Sequence, residues 1–299
     1  MVSSVLLSLL NGIVPKMPEL PEVETIARRL ATKLIGRKLV SVSVLRSKSW
    51  SGQSELVIGR RITSIGRRAK ILIIELDSSP VSILIHLKMT GQLIHVDQNK
   101  TKVGGGHPTA DWIEELPSKH TRVILKLDDG SILYFNDMRV FGWIRIVTKA
   151  DRLKELGAYG PDIIDSKITK TWFYQQLQKK SQSIKQVIMD SSFVAGIGNI
   201  YACDGLHLAC ISPTRSAKSL SQTDVKQLLQ ALISVINSGI RLGGATIQNY
   251  KNVDGLAGSY QLERRVYARE NEPCLVCGQP ILRIKQAGRS TFYCPHCQK

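Results

Sequence analysis

Leu20, Val23, Ile26, Leu30 and Leu34 recur at steps of three and four residues, so the spacing predicts an amphipathic helix over residues 21–35. Pro21 suits a first helical turn, Glu22 and Glu24 suit the positive end of the dipole, and Gly36 suits the stop. From residue 38 to residue 147 the pattern shortens to strand-like apolar runs at 70–76, 81–87, 122–127 and 131–135. Asp129-Gly130, between the last two, reads as a hairpin turn. Several short strands at this spacing predict an antiparallel sandwich or barrel. Residues 97–108, with Gly104-Gly105-Gly106, read as an exposed loop. Beyond about residue 150 the pattern turns helical. Residues 224–239 carry Val225, Leu228, Leu229, Leu232, Ile233 and Ile236, and Ser221 with Asp224 resembles a capping box. Residues 157–161 read as an interdomain linker, and the Gly- and Asn-rich stretch 243–258 is expected to be mobile.

With 299 residues the expectation from length is two domains, and 43% hydrophobic content supports real cores. The 41 basic residues exceed the 24 acidic ones, for a formal net charge of +17. The basic residues are spread through folded segments, with no basic amphipathic helix of the kind that lies on a membrane, so the excess points to a polyanionic partner. Residues 1–14 are apolar but too short to span a bilayer, and they lack the charged start and small-residue cleavage site of a signal peptide.

Four of the six cysteines form two C-x-x-C pairs, Cys274 with Cys277 and Cys294 with Cys297, with sixteen residues between the pairs. The spacing is that of a zinc ribbon, in which each pair gives two thiolates to one tetrahedral ion. Four protein ligands leave no open position, so the expected Zn2+ is structural. His296 reads as a bystander. Cys203 and Cys210, seven apart in an expected helix, read as reduced, packed thiols, not as a disulfide framework.

The stretch with the most chemistry is Met17-Pro18-Glu19-Leu20-Pro21-Glu22-Val23-Glu24. A proline freed from a preceding methionine carries a secondary amine, which can attack an aldehyde-like carbon as a lysine amine does. A proline inside a chain cannot, because its nitrogen is a tertiary amide. Residues 1–17 are therefore expected to be an upstream-start extension or a removed segment.

That octet resembles the N-terminus of the formamidopyrimidine-DNA glycosylase family of base-excision repair enzymes. Further stretches are similar to the same family. Arg67-Arg68-Ala69-Lys70 matches the segment holding its active-site lysine. His86-Leu87-Lys88-Met89-Thr90-Gly91 and Asp137-Met138-Arg139-Val140-Phe141-Gly142 match its two wedge loops. Val194 to Tyr201 resembles its helix–two-turn–helix, and Gln286 to Cys294 resembles its zinc-hairpin tip. On the residues alone, a basic strand edge, core Met and Phe, a packing turn and a solvated arginine are the competing readings.

The resemblance implies an α+β protein. Residues 18–150 would form an N-terminal antiparallel β-sandwich with a flanking helix carrying the proline. Residues 160–262 would form a helix–two-turn–helix domain, and 263–299 a zinc-ribbon hairpin. It implies Pro18 as nucleophile, Glu19 as general acid, and Lys70 and Arg289 as phosphate or proton-transfer partners. It implies DNA contacts at His120, Lys180 and Asn199. Met89 and Phe141 would intercalate while Arg139 faces the orphaned base, since a base-flipping enzyme must fill the vacated stack. Glu22 would face the lesion, and 249–260, including Tyr260, would cap it. The activity implied is a bifunctional glycosylase and AP lyase for oxidised purines in double-stranded DNA. The enzyme would be a cytoplasmic, DNA-associated bacterial monomer with no membrane partner. Neutralising about five phosphates would give a slope of roughly −4 to −5 for log affinity against log salt. The alternatives are an endonuclease VIII-like glycosylase for oxidised pyrimidines, or an inert zinc-ribbon DNA-binding protein if the extension is retained.

Overall fold

The computed structural model describes residues 17–107, 115–245 and 258–299. The periodic run at the start forms α1 (Leu20–Leu34), shifted by one residue from the expected span. Glu19 is its N-cap residue, and the Glu19 N–H donates to the Glu22 carboxylate at 2.9 Å. Gly36 follows the helix with φ of 88°, a left-handed position that glycine takes without a Cβ penalty.

Among the described residues ten strands follow: β1 (Leu39–Val44), β2 (Trp50–Ser51), β3 (Ile62–Arg68), β4 (Ile71–Leu76), β5 (Val81–His86), β6 (Gly91–Val96), β7 (Lys102–Gly106), β8 (Thr121–Leu127), β9 (Ile132–Asp137) and β10 (Trp143–Thr148). They make two five-stranded sheets, in the orders β1-β8-β9-β6-β7 and β2-β10-β5-β4-β3. Every ladder is antiparallel except the short parallel pairing of β2 with β10. Alternate residues of both sheets, such as Leu93, Val123, Leu125 and Phe135 from one and Leu72, Ile74, Ile83 and Ile85 from the other, fill one core. This is the expected sandwich.

The expected glycine loop is instead β7, paired with β6 from Gln92↔Gly106 to Val96↔Lys102. The central glycine is there because α1 lies directly on the strand, while Gly104 and Gly106 sit tight against β6, where a Cβ would meet Leu93 O at 2.0 Å and Gly91 O at 2.4 Å. A Cβ at Gly105 would stand 2.5 Å from Ile26 Cγ1. Absence of side chains here is a packing feature, and loop composition was a misleading cue.

The helical part contains α2 (Lys149–Gly157), α3 (Lys170–Leu177), α4 (Ile184–Ile188), α5 (Asn199–Leu208) and α6 (Gln222–Arg241). The capping box forms as expected, with Asp224 N donating to Ser221 Oγ at 3.1 Å and Ser221 N donating to the Asp224 carboxylate at 2.9 Å. Residues 200–207 of α5 are all buried, so this helix has no polar face and little periodicity to read. Cys203 is buried within it, but Cys210 is exposed. The helix ends at Leu208, and Cys210 turns away in a left-handed conformation, φ 57°, so the seven-residue spacing does not keep both thiols on one packed face. Most of the stretch expected to be mobile, 246–257, lies outside the described residues, as do residues 1–16. Among the described residues no helix is long and apolar enough to cross a membrane.

The chain ends in the hairpin β11 (Leu282–Gln286) and β12 (Arg289–Tyr293). It shares its core with the helices, since Cys274, Ile281, Phe292 and Cys294 pack in the same cluster as Tyr201, Leu206 and Leu232. Leu20 joins that second cluster, while Val23, Ile26, Leu30 and Leu34 join the sandwich core. One helix is thus sewn into two cores, and Glu19 sits at the seam.

Candidate active site and DNA-facing groove

A groove of about 570 Å³ opens at this seam, lined in part by Glu19, Lys70, His86, Gly198, Asn199 and Arg289. Glu19 is 3% exposed. Its carboxylate accepts the N–H groups of Ile200 at 3.0 Å and Tyr201 at 3.4 Å. These belong to the first turn of α5, whose dipole favours an anion. Gly198 makes room, for a Cβ there would lie 2.2 Å from Glu19 Cδ. Burial nevertheless dominates and pushes the Glu19 carboxyl up to about 7, against the opposing pull of Lys70 and the two amides. A carboxyl poised there is well matched to proton donation near neutral pH. The Ile200 and Tyr201 amides are therefore engaged inside the protein by Glu19.

Pro18 is buried immediately before Glu19, and Met17 lines the groove beside it. While the peptide bond from Met17 is in place, the Pro18 nitrogen has no nucleophilic lone pair.

Lys70 enters from the β3–β4 turn. Ala69 holds a left-handed φ of 56°, and its N–H donates to Asp162 Oδ1 at 3.0 Å. Arg67 and Arg68 pair with the same carboxylate at 3.1 and 3.3 Å. This clamp fixes the turn to the segment after α2 and aims Lys70, whose Nζ donates to Ile197 O at 3.0 Å. Burial lowers the Lys70 pKa, while Glu19 and Glu22 oppose the shift.

Arg289 arrives from the other wall. The β11–β12 turn consists of Ala287 at φ 45° and Gly288 at φ 75°, the pair of left-handed residues of a type I′ hairpin. It presents Arg289, exposed, to the mouth of the groove.

The hairpin is held by the cysteine cluster. The sulfurs of Cys274, Cys277, Cys294 and Cys297 lie within 4.8 Å of one another, with separations of 3.5 Å for Cys277–Cys294 and 3.9 Å for Cys274–Cys297. A tetrahedral zinc with bonds near 2.3 Å sets sulfurs about 3.8 Å apart, so the four fit one Zn2+. Buried His207 of α5 places Nε2 3.3 Å from Cys274 Sγ, tying the metal site to the helices. His296 is exposed and outside the cluster, in keeping with a bystander.

Met89, Arg139 and Phe141 come together on two adjacent loops, after β5 and after β9. Arg139 Nη1 lies 3.2 Å from Met89 Sδ, and the guanidinium sits 4.7 Å from the centre of the Phe141 ring. Phe141 is 47% exposed, unlike a core aromatic. Lys88 and Val140, beside them, hold left-handed φ of 51° and 55°.

Three family models match the chain in succession. They are the formamidopyrimidine-DNA glycosylase N-terminal domain at residues 17–144, its H2TH domain at 159–251, and a zinc finger found in FPG and IleRS at 271–299. The formamidopyrimidine-DNA glycosylase of Desulforamulus reducens is 39% identical over 292 residues, covering 95% of this chain and 99% of the relative. The chain belongs to the formamidopyrimidine-DNA glycosylase family. The corresponding enzyme of Pelotomaculum thermopropionicum is 38% identical, over 95% of this chain and 99% of its own. Among solved structures, the MutM (Fpg) protein of Thermus thermophilus matches with a TM-score of 0.81 and 35% identity, covering 94% of this chain and 98% of that one. Lactococcus lactis Fpg in complex with abasic-site DNA matches with a TM-score of 0.84 and 29% identity, covering 94% and 100%.

Other family-implied positions are placed less directly. Asn199 lines the groove, but its Nδ2 donates to Ser290 O at 2.9 Å and its Oδ1 accepts from Lys185 at 2.6 Å. His120 is half-buried, and its carbonyl accepts Asp137 N at 2.9 Å beside the wedge. Lys180 is half-buried in the turn after α3, outside the groove lining. Glu22 accepts from Tyr201 Oη at 2.8 Å and Ala245 N at 2.7 Å, so it ties α5 to the segment after α6. Tyr260 does not line the groove. It is 2% exposed, packs on Tyr201 at 4.7 Å and donates to Asp204 at 3.1 Å, because an aromatic ring beside α5 is worth more inside the helical core. The remainder of the expected lesion cap, 249–257, lies outside the described residues.

Two site residues escaped the sequence pattern. His86, the last residue of β5, lines the groove, and its Nδ1 accepts Lys88 N at 3.0 Å, which leaves the ring proton on Nε2. Burial, with help from Lys88, pushes its pKa down to about 3, so it is neutral at pH 7. Lys185, 2% exposed in α4, donates to Asn199 Oδ1 and to Thr291 Oγ1 at 2.7 Å, joining α4, α5 and β12. A polar residue ending an apolar strand was the one available cue for His86; a lysine between Ile184 and Gln186 carried none.

Proposed function

We propose that this family member is a bifunctional glycosylase and AP lyase that excises oxidised purines, 8-oxoguanine and formamidopyrimidines, from double-stranded DNA. The observation carrying the reading is Glu19, a buried carboxyl at about 7 directly after Pro18, in a groove shared with Lys70 and Arg289. Pro18, freed from Met17, attacks the anomeric carbon, and the bond to the damaged base breaks with its electron pair leaving on the base, which takes up the proton shed by the Pro18 nitrogen. Glu19 protonates the sugar ring oxygen, which opens the ring to an iminium on Pro18. The iminium acidifies the adjacent C–H. Loss of that proton expels the 3′ phosphate, and a second elimination expels the 5′ phosphate. Lys70 and Arg289 hold those phosphates or move the protons.

Met89 and Phe141 fill the space left by the flipped base, and Arg139 offers its donor fork to the orphaned partner. His120, Lys180 and Asn199 bind the backbone, and Glu22 faces the lesion. Residues 18–150, 160–262 and 263–299 serve as catalytic sandwich, helix–two-turn–helix domain and zinc module, and residues 1–17 are absent from the active form. The enzyme works as a monomer on DNA in a bacterial cytoplasm.

Borohydride trapping on a duplex with 8-oxoguanine tests this reading, with the intact mass read alongside. The expected result is a covalent protein–DNA adduct from chains beginning at Pro18 and none from chains retaining Met17. Glu19→Gln should lose nearly all base release. Equal excision by Glu19→Gln, or preference for thymine glycol over 8-oxoguanine, overturns the assignment.

A further inference from the structure

Resting on the wedge assignment above, we propose that the Thr90 hydroxyl and the Asp137 carboxylate form a latch that makes Met89, Arg139 and Phe141 a single pre-built wedge. Neither latch residue lines the groove; Thr90 is 2% and Asp137 0% exposed. Both are positioning residues, acting through the loops they tie.

β6 and β9 pair with Gly91 opposite Asp137, so the residue before β6 meets the last residue of β9. There Thr90 Oγ1 donates to Asp137 Oδ1. The N–H of Arg139 is shared between both partners, at 3.0 Å to Thr90 Oγ1 and 3.1 Å to Asp137 Oδ1. The other carboxylate oxygen accepts Gly142 N at 2.6 Å. One buried carboxylate therefore holds both ends of the Arg139–Gly142 loop and, through Thr90, the Met89 loop.

Val140 shows why a clamp is needed. A β-branched residue at φ 55° is strained, and it persists only where its surroundings fix it. The two bonds to Asp137 flank it on either side. That turn is what sends Arg139 and Phe141 to the same side, where the guanidinium reaches both Met89 sulfur and the Phe141 ring. The backbone of Asp137 extends the unit, with its N–H on His120 O at 2.9 Å and its carbonyl on Arg122 Nε at 2.7 Å. Three loops assigned to DNA thus converge on one residue. A wedge ordered before binding avoids ordering three side chains at the moment of base flipping.

Thr90→Val removes the hydroxyl at nearly constant shape, and Thr90→Ser keeps it. Single-turnover excision is measured on a duplex with 8-oxoguanine opposite cytosine, and lyase cleavage on a single-stranded abasic site, where no stack must be filled. Thr90→Val is expected to slow duplex excision about tenfold, some 1.4 kcal/mol, with single-strand cleavage within twofold of wild type. Thr90→Ser should restore the duplex rate to within twofold. Met89→Ala and Phe141→Ala should be coupled with Thr90 intact and additive in the Thr90→Val background.

Unchanged duplex excision by Thr90→Val, while Met89→Ala and Phe141→Ala are impaired, overturns the latch and leaves the wedge standing. Unimpaired Met89→Ala and Phe141→Ala overturn the wedge itself. Equal loss on duplex and single strand by Thr90→Val also overturns the latch, since it reports general damage to the fold.

Discussion

Gly198→Ala isolates the placement of the catalytic acid from its chemistry. Gly198 has φ −124° and ψ −163°, extended backbone open to any residue, so the substitution adds no backbone strain. Its cost is purely steric. The new methyl would lie 2.2 Å from Glu19 Cδ and 2.5 Å from Cγ and Oε1, so Glu19 must leave its seat or α5 must retreat. Leaving forfeits the bond from Ile200 N at 3.0 Å and the longer one from Tyr201 N. Hydrogen bonds to charged groups are worth about 1.5–3 kcal/mol, and overpacking costs about 1–3 kcal/mol. Partial relaxation brings the expected loss to roughly 3 kcal/mol, a fall in Tm of about 6–12 °C for a chain of this size. Displacing the acid by an ångström lowers excision about a hundredfold. Single-turnover release of 8-oxoguanine and a thermal melt measure the two effects. A variant that melts and excises like the parent would refute the idea that Glu19 is held against the start of α5.

Three other perturbations follow from the same geometry. Glu19 acts as an acid, so excision should fall tenfold per pH unit above about 7, and Glu19→Asp should retain that limb. The folded-state pKa is raised above its ordinary value of 4.5, so the protein binds more protons folded than unfolded in between. Stability from this group is fully present below pH 4.5 and is lost as pH rises to about 7; Glu19→Gln should flatten that decline by about 3 kcal/mol in pH-dependent denaturant melts. Zinc removal by a chelator should lower the melting point of the helical domain as well as loosen the hairpin, because Cys274 and Cys294 pack in the helical core; one zinc per chain by atomic absorption, lost together with that stability, is the expected record. Asp204→Ala should cost about 4 kcal/mol in urea unfolding, since it strands the N–H groups of Val266 and Tyr267, at 3.0 and 3.1 Å, and the Tyr260 hydroxyl.

The parts of the fold legible in the sequence were those where one face meets water. α1 alternates buried and exposed positions and was readable to within a residue, as was the Ser221–Asp224 cap, whose hydrogen bonds are local. β7 was not, because its glycines answer to tertiary neighbours, Gly105 to Ile26 of α1 and Gly104 and Gly106 to the backbone of β6. α5 is buried all round, so periodicity had nothing to report, and its polar contacts reach Glu19, Lys185 and the hairpin. The site divides in the same way. Four cysteines with ribbon spacing announce themselves because each pair is local. Lys185, His86 and Asp162 acquire their partners only through the tertiary fold.

The seam between the two cores explains why the acid can be both buried and usable. Leu20 is committed to the helical cluster, with its N–H on Gly196 O at 3.1 Å, while Val23 three residues later is committed to the sandwich. Glu19 is therefore fixed from both sides and cannot relax toward solvent, which is what keeps burial dominant over the two amide donors and Lys70 in setting its proton affinity. A carboxyl on either domain alone could turn outward and titrate as an ordinary surface group. Loosening the junction through Leu20→Ala should then lower the Glu19 pKa toward 4.5 and move the alkaline limb of excision to lower pH, whereas an equally destabilising change deep in the sandwich, such as Leu125→Ala, should leave that limb in place. If both substitutions shift the limb equally, global stability and not the seam governs the proton.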